Sequence, residues 1–101
     1  MTYRALSIDD IAQKTSAVFK RYGVKRVAVF GSSARGEMRK GSDVDLLVDI
    51  DRMSSGLIFV DLKQTLENAL GRKVDLISFN SLAYSDMRDE ILTDAKVIYE
   101  K

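Results

Sequence analysis

Apolar residues recur every three or four positions near the start of the chain, and this spacing predicts a first helix from Ile8 to Tyr22. The segment Ser7-Ile8-Asp9-Asp10 has the Ser-x-x-acid form of a capping box, which favours a helix start at this point. Gly23 then supplies the residue type that most often ends a helix. Val27 to Phe30 is a short β-branched and aromatic run, and it predicts a first strand.

The centre of the chain carries the second predicted strand. Val44 to Ile50 reads VDLLVDI, with apolar side chains on both faces, as is typical of a central strand covered by helices. A short helix from Ser33 to Met38 is predicted before it, and a polar loop from Arg39 to Ser42 separates the two.

The rest of the chain repeats the alternation of helix and strand. Leu57 to Leu70 predicts a helix, and Val74 to Phe79 predicts a third strand. A last helix capped by Asn80 or Ser81 is expected next, and Val97 to Tyr99 predicts a brief strand at a sheet edge. The apolar positions assigned to these two helices are Leu57, Ile58, Val60, Leu62, Leu66, Ala69, Leu70, Leu82, Met87, Ile91 and Leu92.

The order α-β-α-β-α-β-α-β predicts a single α/β or α+β domain over residues 1–101. With 101 residues, the chain can bury one hydrophobic core. The N-terminal residues lack the apolar segment of a signal peptide, and no apolar run approaches the roughly 20 residues of a membrane span. We therefore expect a cytoplasmic protein that makes no membrane contact.

Composition narrows the chemistry further. The sequence contains no histidine and no cysteine, which excludes thiolate metal sites, imidazole bases and Ser-His-Asp triads. Any metal must be bound by oxygen ligands, which suit Mg²⁺, Mn²⁺ or Ca²⁺. The net charge of +1 and the absence of an aromatic stacking ladder argue against direct binding of nucleic acid, so the basic group at Lys20, Arg21, Lys25 and Arg26 is interpreted as solvated.

A glycine turn follows the first predicted strand. Gly31-Ser32-Ser33 precedes a short helix, and such a turn lets phosphate approach the backbone N–H groups, with Arg35 one turn further on. The spacing from Gly31 to Gly36 fits the first half of a P-loop, but Glu37 stands where the lysine is required, so a P-loop is excluded. Taken alone, the turn favours the simpler interpretation of a strand end followed by a helix cap.

Paired carboxylates change this interpretation. Asp43 and Asp45 are two residues apart on a predicted strand, so their side chains project from the same face with Cα atoms ~7 Å apart. Two carboxylates this close repel one another, and a divalent cation relieves the repulsion. Asp75 is a third carboxylate, inside an otherwise apolar strand, and it joins the pair if the two strands are neighbours. Such a cluster, with one or two ions, suits phosphoryl or nucleotidyl transfer, and Asp75 is the candidate that orients or deprotonates the attacking hydroxyl.

The order Gly31-Ser32, ten residues, Asp43-Val44-Asp45 matches the G-S-x₁₀-D-x-D signature, so the chain resembles the polymerase-β-like nucleotidyltransferase superfamily. It is most similar to the minimal nucleotidyltransferase (MNT) proteins. The resemblance implies a nucleotidyltransferase fold of α+β class, in which a mixed β-sheet of about four strands is flanked by helices. It also implies that Asp43, Asp45 and Asp75 are catalytic and that they hold two Mg²⁺ ions. The nucleotide-binding residues predicted with them are Gly31, Ser32, Ser33, Arg35 and Ser42.

The resemblance also implies a function. Proteins of this kind are antitoxins that transfer AMP from ATP to a tyrosine hydroxyl of a partner HEPN-type toxin. The alternatives are an antitoxin that neutralises its toxin by binding alone, and the catalytic subunit of an antibiotic nucleotidyltransferase. About 50 residues follow the paired aspartates, enough to complete a sheet but not to build a separate acceptor domain, so a protein acceptor is expected. Arg39 and Lys40 are further candidates for contacts with the triphosphate.

Overall fold

The computed structural model of the chain describes residues 6–36, 43–50, 56–82 and 84–101. Within these ranges the chain forms five helices and four strands. In chain order they are α1 (Ile8–Tyr22), β1 (Val24–Val29), α2 (Gly31–Arg35), β2 (Val44–Ile50), α3 (Gly56–Leu70), β3 (Val74–Ser78), α4 (Phe79–Leu82), α5 (Arg88–Asp94) and β4 (Lys96–Glu100).

The four strands form one mixed sheet in the order β3-β2-β1-β4. β1 runs antiparallel to both β2 and β4, whereas β2 and β3 are parallel and are joined through α3. This arrangement confirms the predicted mixed sheet of about four strands. β4 lies at one edge, as predicted, and β3 lies at the other.

β2 is covered on both faces, which explains its continuous apolar sequence. Val44, Leu46 and Val48 belong to the larger core, which the sheet forms with α1 and α3. Leu47 points to the opposite face and packs in a smaller cluster with residues of α4 and α5. The sheet therefore lies between two helical layers of unequal size.

The predicted first helix is confirmed at both ends. The Ser7 hydroxyl accepts a hydrogen bond from the Asp10 N–H at 3.0 Å, and the Asp10 carboxylate accepts one from the Ser7 N–H at 3.1 Å. This is the reciprocal pattern of a capping box. Gly23 ends the helix in the left-handed conformation, with φ 69°. Both ends depend on contacts within a few residues, so local sequence suffices to predict them.

Other boundaries differ from the prediction. β1 begins at Val24 rather than Val27, because Val24 pairs with Ile50 of β2 and is fully buried in the larger core. α2 begins at Gly31, two residues before the predicted Ser33, and the predicted end at Met38 lies outside the described residues.

The last predicted helix is divided into α4 and α5. The Ser81 N–H donates to the Ser78 hydroxyl at 3.2 Å, so Ser78 caps the start of α4, and not Asn80 or Ser81 as expected. Phe79 is therefore the first residue of a helix and not the last residue of β3.

Burial divides the apolar positions assigned to the helices. The fully or almost fully buried ones are Leu62, Leu66, Leu70, Leu82 and Ile91. Those that are exposed are Leu57, Ile58, Val60, Met87 and Leu92, and Leu57 reaches 82% exposure. In the described ranges, no helix is both long and apolar enough to cross a bilayer.

Glu67 connects α3 to the start of β3. Its side chain accepts a hydrogen bond from the Val74 N–H at 2.9 Å, and its backbone oxygen accepts one from the Gly71 N–H at 2.8 Å. The Glu67 side chain therefore fixes the first residue of the strand, next to Asp75.

We expect Glu67→Ala to lower the free energy of unfolding by about 1–2 kcal/mol, because the Val74 N–H loses a charged acceptor. Urea unfolding measures the change, and faster amide exchange at Val74 should accompany it. Gln64→Ala is the matched control, since Gln64 is an exposed side chain of the same length on the same helix, and its effect should stay within about 0.5 kcal/mol. Equal losses in the two variants would contradict the assigned role of Glu67.

Candidate active site

The parallel register of β2 and β3 places Asp45 directly beside Asp75. At the start of both strands, the Val44 N–H donates to the Lys73 carbonyl oxygen at 2.9 Å. Asp43 precedes β2 by one residue and is exposed, as is Asp75, whereas Asp45 is half-buried. The structure therefore brings together the strand ends that carry all three predicted carboxylates, as expected for neighbouring strands. The roles of the three side chains remain predictions.

Two hydrogen bonds fix the backbone of Asp45. The Phe30 N–H donates to the Asp45 carbonyl oxygen at 3.1 Å, and the Asp45 N–H donates to the Ser33 hydroxyl, also at 3.1 Å. The same hydroxyl donates to the Asp43 carbonyl oxygen over a longer distance of 3.5 Å. These contacts tie the glycine turn and α2 to the start of β2.

Ser33 is a buried residue whose hydroxyl contacts the backbone at the start of β2. The side chain is only 2% exposed, and its hydroxyl contacts the backbone of both residues that flank Val44. The structure shows Ser33 holding the two aspartates in register. The predicted contact between Ser33 and the nucleotide remains a prediction.

Gly31 makes room for the Asp45 carboxylate. A Cβ atom built on Gly31 would lie 2.7 Å from Oδ2 of Asp45, well inside van der Waals contact. Gly31 also has φ 62°, in the left-handed region that side chains other than glycine disfavour. Two independent requirements, the backbone conformation and the close carboxylate, therefore both select glycine at this position. Ser32 follows it, partly exposed, in the first turn of α2.

Arg35 lies in the last turn of α2 and forms an ion pair with Asp94 at the end of α5. Arg35 was predicted from the sequence as a site residue, whereas its partner Asp94, 59 residues away along the chain, was not. The available signal was an acid in the last turn of a helix, where the helix dipole disfavours negative charge.

Negative charge is in excess around Asp45. Burial above all, and then the charges of Asp75 and Asp43, raise the pKa of this carboxyl from 3.8 to about 6, while Arg35 opposes them. In the absence of a cation, an ionised Asp45 therefore destabilises the folded protein. A bound cation or a proton relieves that destabilisation.

The donor set at the strand ends suits a hard cation such as Mg²⁺, because it consists of carboxylate oxygens with surplus negative charge. Among the described residues, no group of three or more acidic side chains is gathered closely enough to hold a metal ion. The fit therefore rests on the chemistry of the donors and on the unfavourable charge of Asp45. Ser42, Arg39 and Lys40, which were predicted to contact nucleotide, lie outside the described residues.

A cavity of about 460 Å³ opens at the opposite ends of β2 and β3. Asp49, Phe59 and Ser78 are among its lining residues, and the described lining contains none of the three predicted carboxylates. Asp43 and Asp75 are exposed and Asp45 is half-buried, and the chemistry of these three side chains marks the candidate site.

Substitution of Gly31 separates its two requirements. Gly31→Ala and Gly71→Ala both place alanine at a left-handed position, with φ 62° and 67°, and each should lose about 1–2 kcal/mol of stability. Of the two, only Gly31→Ala displaces the Asp45 carboxylate, because nothing lies within 4 Å of a Cβ at Gly71. Nucleotidyl transfer should therefore fall about 100-fold in Gly31→Ala and remain near wild type in Gly71→Ala. Urea unfolding and transfer of labelled nucleotide measure the two effects, and equal activities would refute the steric argument.

The raised pKa of Asp45 predicts a pH-dependent stability in metal-free protein. Because the folded chain holds this proton more tightly than the unfolded chain, the free energy of unfolding falls as pH rises from about 4 to about 6. Asp45→Asn abolishes the titration, so above pH ~6 it should be more stable than wild type by about 1–2 kcal/mol, after allowance for partial exposure. Urea unfolding in chelator across this range tests the difference, which should be absent near pH ~4. A difference in stability that stays constant with pH would show that it does not arise from the titration of Asp45.

Comparison with known proteins identifies the family of the chain. The sequence pattern of the polymerase beta nucleotidyltransferase family (Polbeta) matches residues 13–101. A relative from Methanocaldococcus jannaschii, provisionally named a protein adenylyltransferase, is 39% identical over 90 residues, which cover 89% of this chain and 96% of the relative.

Solved structures support the same assignment. One, provisionally described as a minimal nucleotidyltransferase, is 37% identical and superposes with a TM-score of 0.75, covering 93% of this chain and 98% of the other. A second contains a tri-AMPylated Shewanella oneidensis HEPN toxin in complex with an MNT antitoxin. It is 19% identical with a TM-score of 0.66, covers 90% of this chain and 71% of the other, and shows a shared fold alone. The chain therefore belongs to the polymerase β nucleotidyltransferase family and is a nucleotidyltransferase of its minimal type.

Proposed function

We propose that this protein is an antitoxin that transfers AMP from ATP, in a Mg²⁺-dependent reaction, to a tyrosine hydroxyl of a partner HEPN-type toxin and so neutralises it. The observation that carries the proposal is the position of Asp45, which is paired in register with Asp75 and seated against the glycine turn. Carboxylates on neighbouring strands suit a cation, and the adjacent glycine turn suits a triphosphate, so the two features together support the proposal.

Three carboxylates are proposed to act beside the α-phosphate. Asp43, Asp45 and Asp75 are the residues that would hold Mg²⁺, since they supply its preferred oxygen ligands and their mutual repulsion favours a cation between them. Bound Mg²⁺ supplies neutralisation of the negative charge that develops during transfer. Ser33 keeps Asp43 and Asp45 in register through the backbone of β2.

The glycine turn is the proposed seat of the triphosphate. Gly31 and Ser32 are partly exposed at the start of α2, so phosphate can reach the Ser32 hydroxyl and the backbone of the turn. Arg35 follows one turn later, with half of its side chain exposed, and is positioned to neutralise phosphate oxygens. Residues of α2 therefore contact the triphosphate tail, while those of β2 and β3 face the reacting phosphorus.

Asp75 is the proposed acceptor-side residue. It is exposed and lies on β3, an edge strand, so a protein-sized acceptor can reach it from outside the domain. Asp75 orients the tyrosine hydroxyl and receives its proton as the phenolic oxygen bonds to the α-phosphorus. The bond from that phosphorus to the oxygen that bridges it to the β-phosphate breaks, and pyrophosphate leaves.

The names of similar proteins support this choice of reaction. The relative from Methanocaldococcus jannaschii is named for adenylyl transfer to protein, and the Shewanella oneidensis complex joins an AMPylated HEPN toxin to an MNT antitoxin. ATP as the nucleotide and the toxin as the acceptor are carried over from these proteins. Binding of the toxin without catalysis is the alternative that the following experiment distinguishes.

Transfer of label tests the proposal. Purified protein, its proposed HEPN-type partner and Mg²⁺ should yield labelled partner from α-labelled ATP but not from γ-labelled ATP, because AMP and not phosphate is transferred. Asp43→Asn and Asp45→Asn should each reduce the rate by at least about 100-fold, since charge stabilisation at the phosphate is lost. Chelation of Mg²⁺ should abolish transfer, and mass spectrometry should place AMP on tyrosine.

The control is the stability of the complex between the two proteins. Asp45→Asn should still bind its partner, since Asp45 is half-buried beside Gly31 and contributes little outer surface. A stable complex in which the wild-type protein transfers no label from any of the four nucleoside triphosphates would disprove catalysis and support neutralisation by binding.

A further inference from the structure

Arg35 and Asp94 join the last turns of two helices that are far apart in sequence. Arg35 ends α2, beside the glycine turn, and Asp94 ends α5, in the smaller layer on the same side of the sheet as Leu47. The guanidinium donates through Nη1 to Oδ2 of Asp94. The side chains are 45% and 26% exposed, so the pair lies at the surface but is partly shielded.

The position of Asp94 is unfavourable for its own helix. The C-terminal turn of a helix carries partial negative charge, so a carboxylate there is destabilising, and the last turn of α5 contains no basic residue to offset it. Arg35, in contrast, has the charge that the C-terminus of α2 favours. Asp94 therefore does not stabilise α5. The favourable contact of its carboxylate is the ion pair with Arg35.

α2 needs support from outside. It has only five residues, and its N-cap, Phe30, makes no side-chain capping bond. The helix packs against β2 on one side and α5 on the other. The ion pair is thus a polar contact that holds the last turn of α2 in place next to the carboxylates.

We infer that Asp94 is a positioning residue, which holds Arg35 in the orientation that binds the triphosphate. This inference rests on the proposed function, because it concerns the same nucleotide site. Asp94 acts through Arg35 and makes no contact with the reacting atoms itself.

The sign of its effect follows from two opposing contributions. Removal of the Asp94 carboxylate leaves more net positive charge for the phosphates, but this gain is weakened by solvent and salt at a partly exposed pair. The same removal releases a restraint on a long, flexible arginine side chain, and the entropy lost in ordering that side chain then opposes binding. Loss of preorganisation is the larger of the two at physiological salt, so nucleotide binding weakens.

Calorimetric titration of the full chain with AMP-PNP and Mg²⁺ tests the inference without any partner. Asp94→Asn should raise the Kd about fivefold to tenfold, and Asp94→Glu should recover most of the loss. Asp89→Asn is the matched control, since it removes an exposed carboxylate from the same helix, and its Kd should stay within about twofold of wild type. Thermal unfolding should show a Tm for Asp94→Asn within about 3 °C of wild type, which separates positioning from loss of fold.

A double-mutant cycle identifies the route of the effect. If Asp94 acts through Arg35, Arg35→Ala should bind AMP-PNP weakly and Asp94→Asn should weaken that variant no further. Binding by Asp94→Asn that equals or exceeds that of wild type would overturn the inference and leave the proposed function intact, as would additive losses in the double variant. A wild-type protein without measurable affinity for AMP-PNP would overturn both.

Discussion

The closeness of the Asp45 carboxylate to Gly31 is the constraint on which the rest of the site depends. A backbone N–H at Phe30 and a hydroxyl at Ser33 hold the strand residue on either side of its side chain. The carboxylate then occupies the space that any Cβ on the glycine would need. Because these contacts join β1, α2 and β2, the turn and the paired aspartates form one rigid unit rather than two motifs that happen to be near each other.

The arrangement of the glycine turn and the paired aspartates destabilises the folded protein electrostatically. Asp45 is partly removed from water and stands beside Asp75, and both effects favour its neutral form. Val44 and Leu46, its neighbours in β2, are fully buried. This end of the molecule is therefore less stable than it could be, and it holds a carboxylate that gains from a cation, which is a common arrangement at sites of phosphate chemistry.

Local sequence predicted those parts of the fold that local contacts determine. The capping box at Ser7 correctly predicted the start of α1, because the responsible atoms lie within a few residues, and the apolar pattern of β2 correctly predicted a strand covered on both faces. The start of β1 at Val24 was missed, since pairing with two other strands extends it past polar residues. The exposure of Leu57 was also not predicted, because helical spacing identifies apolar positions but not which of them meet a neighbour.

The candidate site shows the same division between local and distant information. The motif from Gly31 to Asp45 was visible as spacing, and the alignment of Asp75 followed once its strand was taken as the neighbour of β2. The hydrogen bonds of Ser33 and the pairing of Arg35 with Asp94 were not visible, because they depend on how separate elements pack. A spacing rule identifies which residue types are present, while the partners of each side chain emerge only in three dimensions.

The contact between Gly31 and Asp45 has a consequence for how such a sequence can drift. A side chain at position 31 would displace the carboxylate at position 45, so the glycine is required for as long as the aspartate has to keep its place. Shortening residue 45 to serine would remove the clash, yet the left-handed backbone at position 31 would still favour glycine. Descendants that lose catalysis should therefore lose the aspartate first and retain the glycine as a trace of the ancestral site.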